Sequence, residues 1–230
     1  SLPTPEQTGG VLWLRDEDVV AVLDELPRRP MLAGKDGLRL SLAGAQDKLP
    51  VVFDGTRLGL PLNGTPSSHI LKPPIDAVED SVVNEGFCMA LAEALQLKPA
   101  MASVHAVLNR PFLLVERYDR VLDAQGCRQR LHQEDFCQAL GVVPEMKYQN
   151  EGGPDLVKGP ARRRMLELAN SLPRAARALQ SDRTHGFAGN GVVERIVALI
   201  EQRCALTLRK LSAPLSAPTS RDGDSSASPQ

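Results

Sequence analysis

Four groups of residues in this 230-residue chain are of types that handle anions or polar ligands. The first is Ser41-Leu42-Ala43-Gly44-Ala45-Gln46-Asp47-Lys48, a run of small residues between two apolar segments. Small side chains let backbone N–H groups come close to an anion, and Lys48 adds a charge at the end. It is not a Walker-type loop, because no Gly-Lys-Ser/Thr follows a strand here. A small-residue turn ending in lysine is also an ordinary way to turn a chain. The second group is Lys72, after His69-Ile70-Leu71 and before Pro73-Pro74; taken alone it reads as a solvated edge lysine. The third is Glu85, in the first turns of an amphipathic stretch, where a carboxylate suits the helix dipole without any further role. The fourth is Val115-Glu116-Arg117-Tyr118-Asp119-Arg120, a polar exit from a strand.

These residues need elements to hold them. Residues 11–26 read as a strand and a short helix, capped by Asp16 or Asp18, with Val19, Val20, Leu23 and Leu26 as its apolar stripe. A β-rich region follows. Leu38 to Leu40 alternates, and Leu49 to Phe53 turns at Asp54-Gly55 into a return strand from Arg57 to Leu60. His69 to Lys72 is another short strand. Ser81 is placed to cap a helix carrying Val83, Phe87, Ala90, Leu91, Ala94 and Leu95 on one face. A hairpin runs from Ser103 to Leu108, turns at Asn109-Arg110 and returns from Phe112 to Val115. Gln133 to Leu140 reads as a helix stopped by Gly141. Residues 161–211 hold only helical patterns, with a new helix expected to begin near Pro173. The Ser-, Ala-, Pro- and Asp-rich residues 212–230 read as a disordered tail.

Composition narrows the function classes. The hydrophobic share of 42% supports a buried core, and a net charge of -1 gives no general pull toward nucleic acid or membrane. Aromatic residues at 3% argue against a base-stacking surface. Cys88, Cys127, Cys137 and Cys204 form no C-x-x-C pair and read as reduced thiols of a cytoplasmic protein. No apolar run has the length of a membrane span. His69, His105, His132 and His185 lack the close spacing of metal ligands, so no metal site is expected. Ser1-Leu2-Pro3-Thr4-Pro5 is not a signal peptide and lacks an initiator methionine, which places the start inside a longer product or after processing.

The order of the four groups is informative: a loop of small residues, a strand lysine, a helix glutamate and a polar strand exit. It matches a protein-kinase small lobe, where the lysine holds phosphates and the glutamate orients the lysine. The chain resembles the HipA family of serine/threonine kinase toxins from bacterial toxin–antitoxin pairs. Leu40 to Lys48, His69 to Pro73, Val83-Asn84-Glu85 and Val115 to Arg120 carry the likeness. Gln133-Glu134-Asp135-Phe136-Cys137-Gln138, Lys147-Tyr148 and Gly152-Gly153-Pro154 extend it over nearly all of residues 11–158.

The resemblance implies an ATP-binding kinase of protein hydroxyls, with Mg²⁺ and a small DNA-binding antitoxin as the family's partners. Ser41 matches the serine these kinases phosphorylate on themselves. Ala43, Gly44, Ala45, Gln46, Asp47 and Lys48 match the loop over the phosphates. Lys72 matches the ATP-binding lysine, and Glu116, Arg117 and Tyr118 match the hinge that meets the adenine edge; by the kinase order Glu85 is the candidate to orient the lysine. The family's Asp-Gly-His-x-Lys-Asn loop and its later Tyr-Asp, which serve transfer and metal, have no counterpart here. Asp182 is followed five residues later by Phe187, not asparagine, and Tyr118-Asp119 belongs to the hinge. Asp182 to Asn190 reads instead as a Gly-rich turn between helices.

The expected architecture is therefore α+β, a kinase-like small lobe with a twisted antiparallel sheet and then a small helical portion. Residues 1–37 would end an N-terminal subdomain and 38–158 would form the nucleotide-binding lobe. Residues 159–211 would be C-terminal helices that follow without the catalytic middle of the large lobe. The alternative is an inactive toxin remnant that binds only nucleotide or antitoxin. Direct nucleic-acid or membrane binding is not expected.

Overall fold

A computed structural model of the chain describes residues 7–8, 10–28, 46–134, 136–143, 146 and 160–212. Ser41, Ala43, Gly44 and Ala45 lie outside the described residues, as do the Leu38–Leu40 strand, Lys147-Tyr148, Gly152–Pro154 and the tail.

The architecture is α+β. A seven-stranded, wholly antiparallel sheet has the order β1-β2-β4-β3-β5-β7-β6. Its strands are β1 Gln7–Thr8, β2 Val11–Trp13, β3 Leu49–Phe53, β4 Leu58–Pro61, β5 His69–Lys72, β6 Ala102–Val107 and β7 Arg110–Glu116. The helices are α1 Asp16–Glu25, α2 Ser81–Ala94, the short α3 Phe136–Ala139, α4 Pro160–Ser181 and α5 Gly191–Ser212.

Strand alternation divides the residues between two faces. On one, Leu49, Val51, Leu58, Leu60, Leu71, Phe112 and Leu114 bury against Val19, Val22, Leu23 and Leu26 of α1 and its C-cap. On the other, Leu113 and Val104 meet α2 at Gly86. The α4–α5 hairpin packs on α2 in a second core of Phe87, Leu91, Ala176, Leu179, Phe187, Val193 and Val197. Helix α2 is thus held between the sheet and the hairpin.

Several local expectations shift. The β6–β7 turn falls at Leu108-Asn109, one residue earlier than expected, with both residues at positive φ (47° and 63°). Arg110 then pairs with Val107 and opens β7, as a two-residue hairpin of this hand requires. Ser81 is not the cap of α2 but its first residue, and its Oγ accepts from the Ile75 amide at 2.7 Å. Asp80 occupies the cap position in a left-handed conformation (φ 46°) with no side-chain cap bond. The first helix is capped by Arg15, whose amide donates to the Asp18 carboxylate at 3.1 Å.

Pro173 does not begin a helix but lies inside α4. A proline removes one helical hydrogen bond, yet buried packing can carry the helix through it. Ala169 before it and Ala176 and Leu179 after it are all buried. The helix expected over 133–140 shortens to α3, and Gly141 at φ 65° ends it. A small hairpin not foreseen in the sequence pairs β8 Arg120–Leu122 with β9 Arg128–Arg130. No helix among the described residues is long and apolar enough to cross a membrane.

Candidate nucleotide-binding site

Lys72 is the last residue of β5, whose length is set by the two prolines that follow. It pairs with Leu113 of β7 and stands on the face that α2 covers. Glu85 is in the second turn of α2. The Lys72 Nζ donates directly to Glu85 Oε1, with side chains 22% and 31% exposed. Helix α2 packs closely on the sheet next to the pair, at Gly86. A Cβ at Gly86 would sit 2.7 Å from Val104 Cγ2 and 3.5 Å from Leu113 Cδ1. Only glycine permits that approach.

Lys48 joins the same end of the sheet. Leu49 pairs with Leu71, so the residues just beyond that rung, Lys48 and Lys72, stand at one end of the β3–β5 ladder. Gln46 and Asp47 lead into the same strand. The strand exit at Glu116 stands at the opposite end, where it pairs with His69. His69 and Lys72 are three residues apart, so the two ends are separated by roughly 10 Å along the strand.

The segment Glu116 to Tyr118 is more committed than its sequence suggests. The Glu116 amide donates to the Met101 carbonyl at 2.7 Å, and the Arg117 amide to the Ser68 carbonyl at 2.9 Å. Both are therefore spent inside the protein. The Tyr118 ring is 69% exposed, and its hydroxyl accepts from Gln133 Nε2.

A charged clamp holds this segment. Arg117 Nε and Nη2 donate to the two Asp119 carboxylate oxygens at 3.0 and 2.7 Å. Arg120 Nη1 donates to Asp119 Oδ2 at 2.7 Å and Nε to the Ser67 carbonyl at 3.1 Å. Arg117 Nη1 also donates to Ser67 Oγ at 3.3 Å. The Arg117 hydrogen bonds, helped by the charges of Arg117 and Arg120, hold the Asp119 carboxyl below its ordinary value. Burial lowers Arg120, and repulsion from Arg117 adds to it. A cavity of about 360 Å³ opens beside the clamp, lined among others by Pro50, Thr65, Arg117, Arg120 and Arg130. It does not reach Lys72. Neither does a second cavity of about 470 Å³ between Pro27, Pro73, Pro74 and Arg110. Among the described residues the Lys72–Glu85 ion pair marks the candidate site.

Sequence reasoning missed Ser67, Gly86 and the clamping role of Asp119. The alternating charges of Arg117-Tyr118-Asp119-Arg120 were the available signal for the clamp. Gly86 was visible only as a glycine inside an otherwise regular helix. Asp182 lies in the turns between α4 and α5. Its Oδ1 accepts from the Thr184 amide at 2.8 Å and from Thr184 Oγ1 at 2.6 Å, and its Oδ2 lies 3.1 Å from His185 Nδ1. Gly186 and Gly189 have positive φ (69° and 75°), as turns of this kind require. Among the described residues no three His, Cys, Asp or Glu side chains come together as metal ligands.

The fold is that of a kinase-like small lobe followed by a helical hairpin. The chain belongs to the HipA-like C-terminal domain family, which matches residues 40–188. It is similar to the putative kinase Y4mE of Sinorhizobium fredii, with 53% identity over 152 residues, covering 66% of this chain and 34% of that protein. It is also similar to the serine/threonine-protein kinase toxin HipA of Shewanella oneidensis, at 29% identity over 162 residues, covering 68% and 37%. Among solved structures it resembles a chain of the Shewanella oneidensis complex of HipA, HipB and operator DNA. The TM-score is 0.50 at 25% identity, over 78% of this chain and 44% of that one. The chain spans about a third of the length of these curated relatives.

Proposed function

We propose that this chain is the nucleotide-binding lobe of a HipA-type serine/threonine kinase and that it binds ATP without transferring its phosphate. The observation that carries the reading is the Lys72–Glu85 ion pair at one end of β5, with the Glu116–Tyr118 strand exit at the other. In kinases a strand lysine holds the phosphates and a helix glutamate orients it. Lys72 and Lys48 would then face the phosphates, and the segment from Ala43 to Lys48 would cover them with backbone donors. The adenine would lie toward Glu116, Arg117 and Tyr118. With the amides of Glu116 and Arg117 engaged, the Tyr118 amide is the candidate donor to the base. In such kinases Mg²⁺ would supply positive charge to offset that of the phosphates.

The proposed lack of transfer rests on the sequence, which carries neither the aspartate-to-asparagine loop nor a second Tyr-Asp. Asp182 supports this reading because its oxygens are engaged by Thr184 and His185 within an interhelical turn. Orientation and electrostatic stabilisation supply most of the acceleration of phosphoryl transfer, so their loss leaves almost none.

Incubation with Mg-ATP followed by mass spectrometry tests the reading. The expected result is no phosphate on Ser41. Phosphorylated Ser41 that disappears in Lys72→Ala would show an active kinase. The second reading, a binding module that retains an antitoxin contact, is favoured by the solved relative, which was crystallised with HipB and operator DNA.

A further inference from the structure

Three consecutive residues of α2 face three different parts of the protein. Glu85 reaches Lys72, Gly86 touches the sheet at Val104 and Leu113, and Phe87 is fully buried against the α4–α5 hairpin. On the sheet side α2 presents no side chain at Gly86, so that contact limits its approach but does not grip it. The opposite side of α2 packs on the α4–α5 hairpin. The Phe187 ring, from the turn between α4 and α5, packs edge-on to Phe87 with centroids 5.3 Å apart and planes at 81°. Phe187 is only 4% exposed.

The N-terminal end of α2 also depends on the hairpin. Its cap residue Asp80 makes no side-chain cap bond, and an uncapped helix start frays readily. Asn190 Nδ2 donates to Asp80 Oδ2 at 3.4 Å, and Arg195 Nη2 to Glu79 Oε2 at 2.6 Å. Asn190 also caps α5, accepting from the Val192 and Val193 amides at 2.9 and 3.1 Å. The interhelical turn and α5 thereby touch the residues just before α2.

We propose that Phe187 is a positioning residue for the Lys72–Glu85 pair: through Phe87 it presses α2 onto the sheet and sets the reach of Glu85. A charge-assisted hydrogen bond depends steeply on distance and angle. A helix that relaxes outward into the space left by the ring loses it. Phe187, in the turn between α4 and α5, then serves the nucleotide site from behind. In its nucleotide consequence this inference rests on the function proposed above.

The test reads the pair directly in the full chain. Scalar coupling across the hydrogen bond, from ¹⁵Nζ of Lys72 to ¹³Cδ of Glu85, is measured by NMR without nucleotide. Phe187→Ala is expected to abolish it, Phe187→Leu to restore part of it, and Val22→Ala in the opposite core to leave it intact. ATP affinity should fall about tenfold in Phe187→Ala, the loss of one charge-assisted contact. Coupling that persists in a folded Phe187→Ala overturns the proposal. Should Phe187→Ala not fold, the Asn190→Ala/Arg195→Ala variant decides, with weakened coupling expected and unchanged coupling overturning the idea. If the unmodified chain binds no ATP, the nucleotide reading fails, while the coupling still decides whether Phe187 positions the pair.

Discussion

Lys72 and Glu85, thirteen residues apart in the chain, meet as an ion pair between the end of β5 and the second turn of α2. Partly exposed pairs of this kind contribute at most about 1 kcal/mol to stability. A glycine in mid-helix costs roughly 1 kcal/mol relative to alanine, so the ion pair alone does not offset it; burial of Leu113 under α2 contributes more.

Lys72→Ala should weaken ATP binding, whereas Asp182→Ala should leave it unchanged. Two or three charge-assisted hydrogen bonds of about 1.5–3 kcal/mol each, less the general cost of association, place the affinity at roughly millimolar to high micromolar. Mg²⁺ should change it little. Calorimetry on the two variants checks this. Loss of Mg-dependent binding in Asp182→Ala with a silent Lys72→Ala would put the site in the other half of the chain.

Gly86→Val should destabilise the protein by about 1–3 kcal/mol, the usual cost of overfilling a packed contact. The added Cβ alone would lie 2.7 Å from Val104 Cγ2, and the two further methyls of valine are expected to lift α2 from the sheet. The same variant should bind ATP more weakly, because the lift carries Glu85 away from Lys72. Urea unfolding and a nucleotide titration give the two readouts. An unchanged midpoint would mean that the helix does not rest on the sheet at this residue.

Asp119→Asn should cost about 3–5 kcal/mol, because it leaves two arginines without their carboxylate. The Arg117, Asp119 and Arg120 side chains are only 13%, 12% and 8% exposed. The pH dependence follows from the same pairing. The folded Asp119 titrates below its ordinary 3.8, so its contribution is fully present above that value and is lost as the pH falls through the lowered one. Denaturation followed from pH 7 downward should show less acid sensitivity in Asp119→Asn than in the parent.

Co-expression with the product of a neighbouring small gene should yield a complex if the antitoxin contact is retained. Size-exclusion chromatography at high protein concentration is the check. Clean separation of the two would count against a retained contact.

The sequence by itself determined the local elements and their order. The short apolar runs of Leu49–Phe53 and His69–Lys72 and the apolar face of 81–95 are properties of neighbouring residues, and strands β3 and β5 and helix α2 formed where they predict. The family likeness was legible for the same reason, since its motifs are short and contiguous. What failed locally failed through distant contacts: Pro173 sits inside α4 because burial on both sides of it outweighs one missing hydrogen bond. The Lys72–Glu85 contact was written only as an order of residue types. Whether the two side chains touch depends on how closely α2 approaches the sheet, and that distance is set by Gly86 on one side and by Phe187, about a hundred residues further along, on the other. Packing distance between elements is a sum over such long-range contacts, so it became visible only in the tertiary structure.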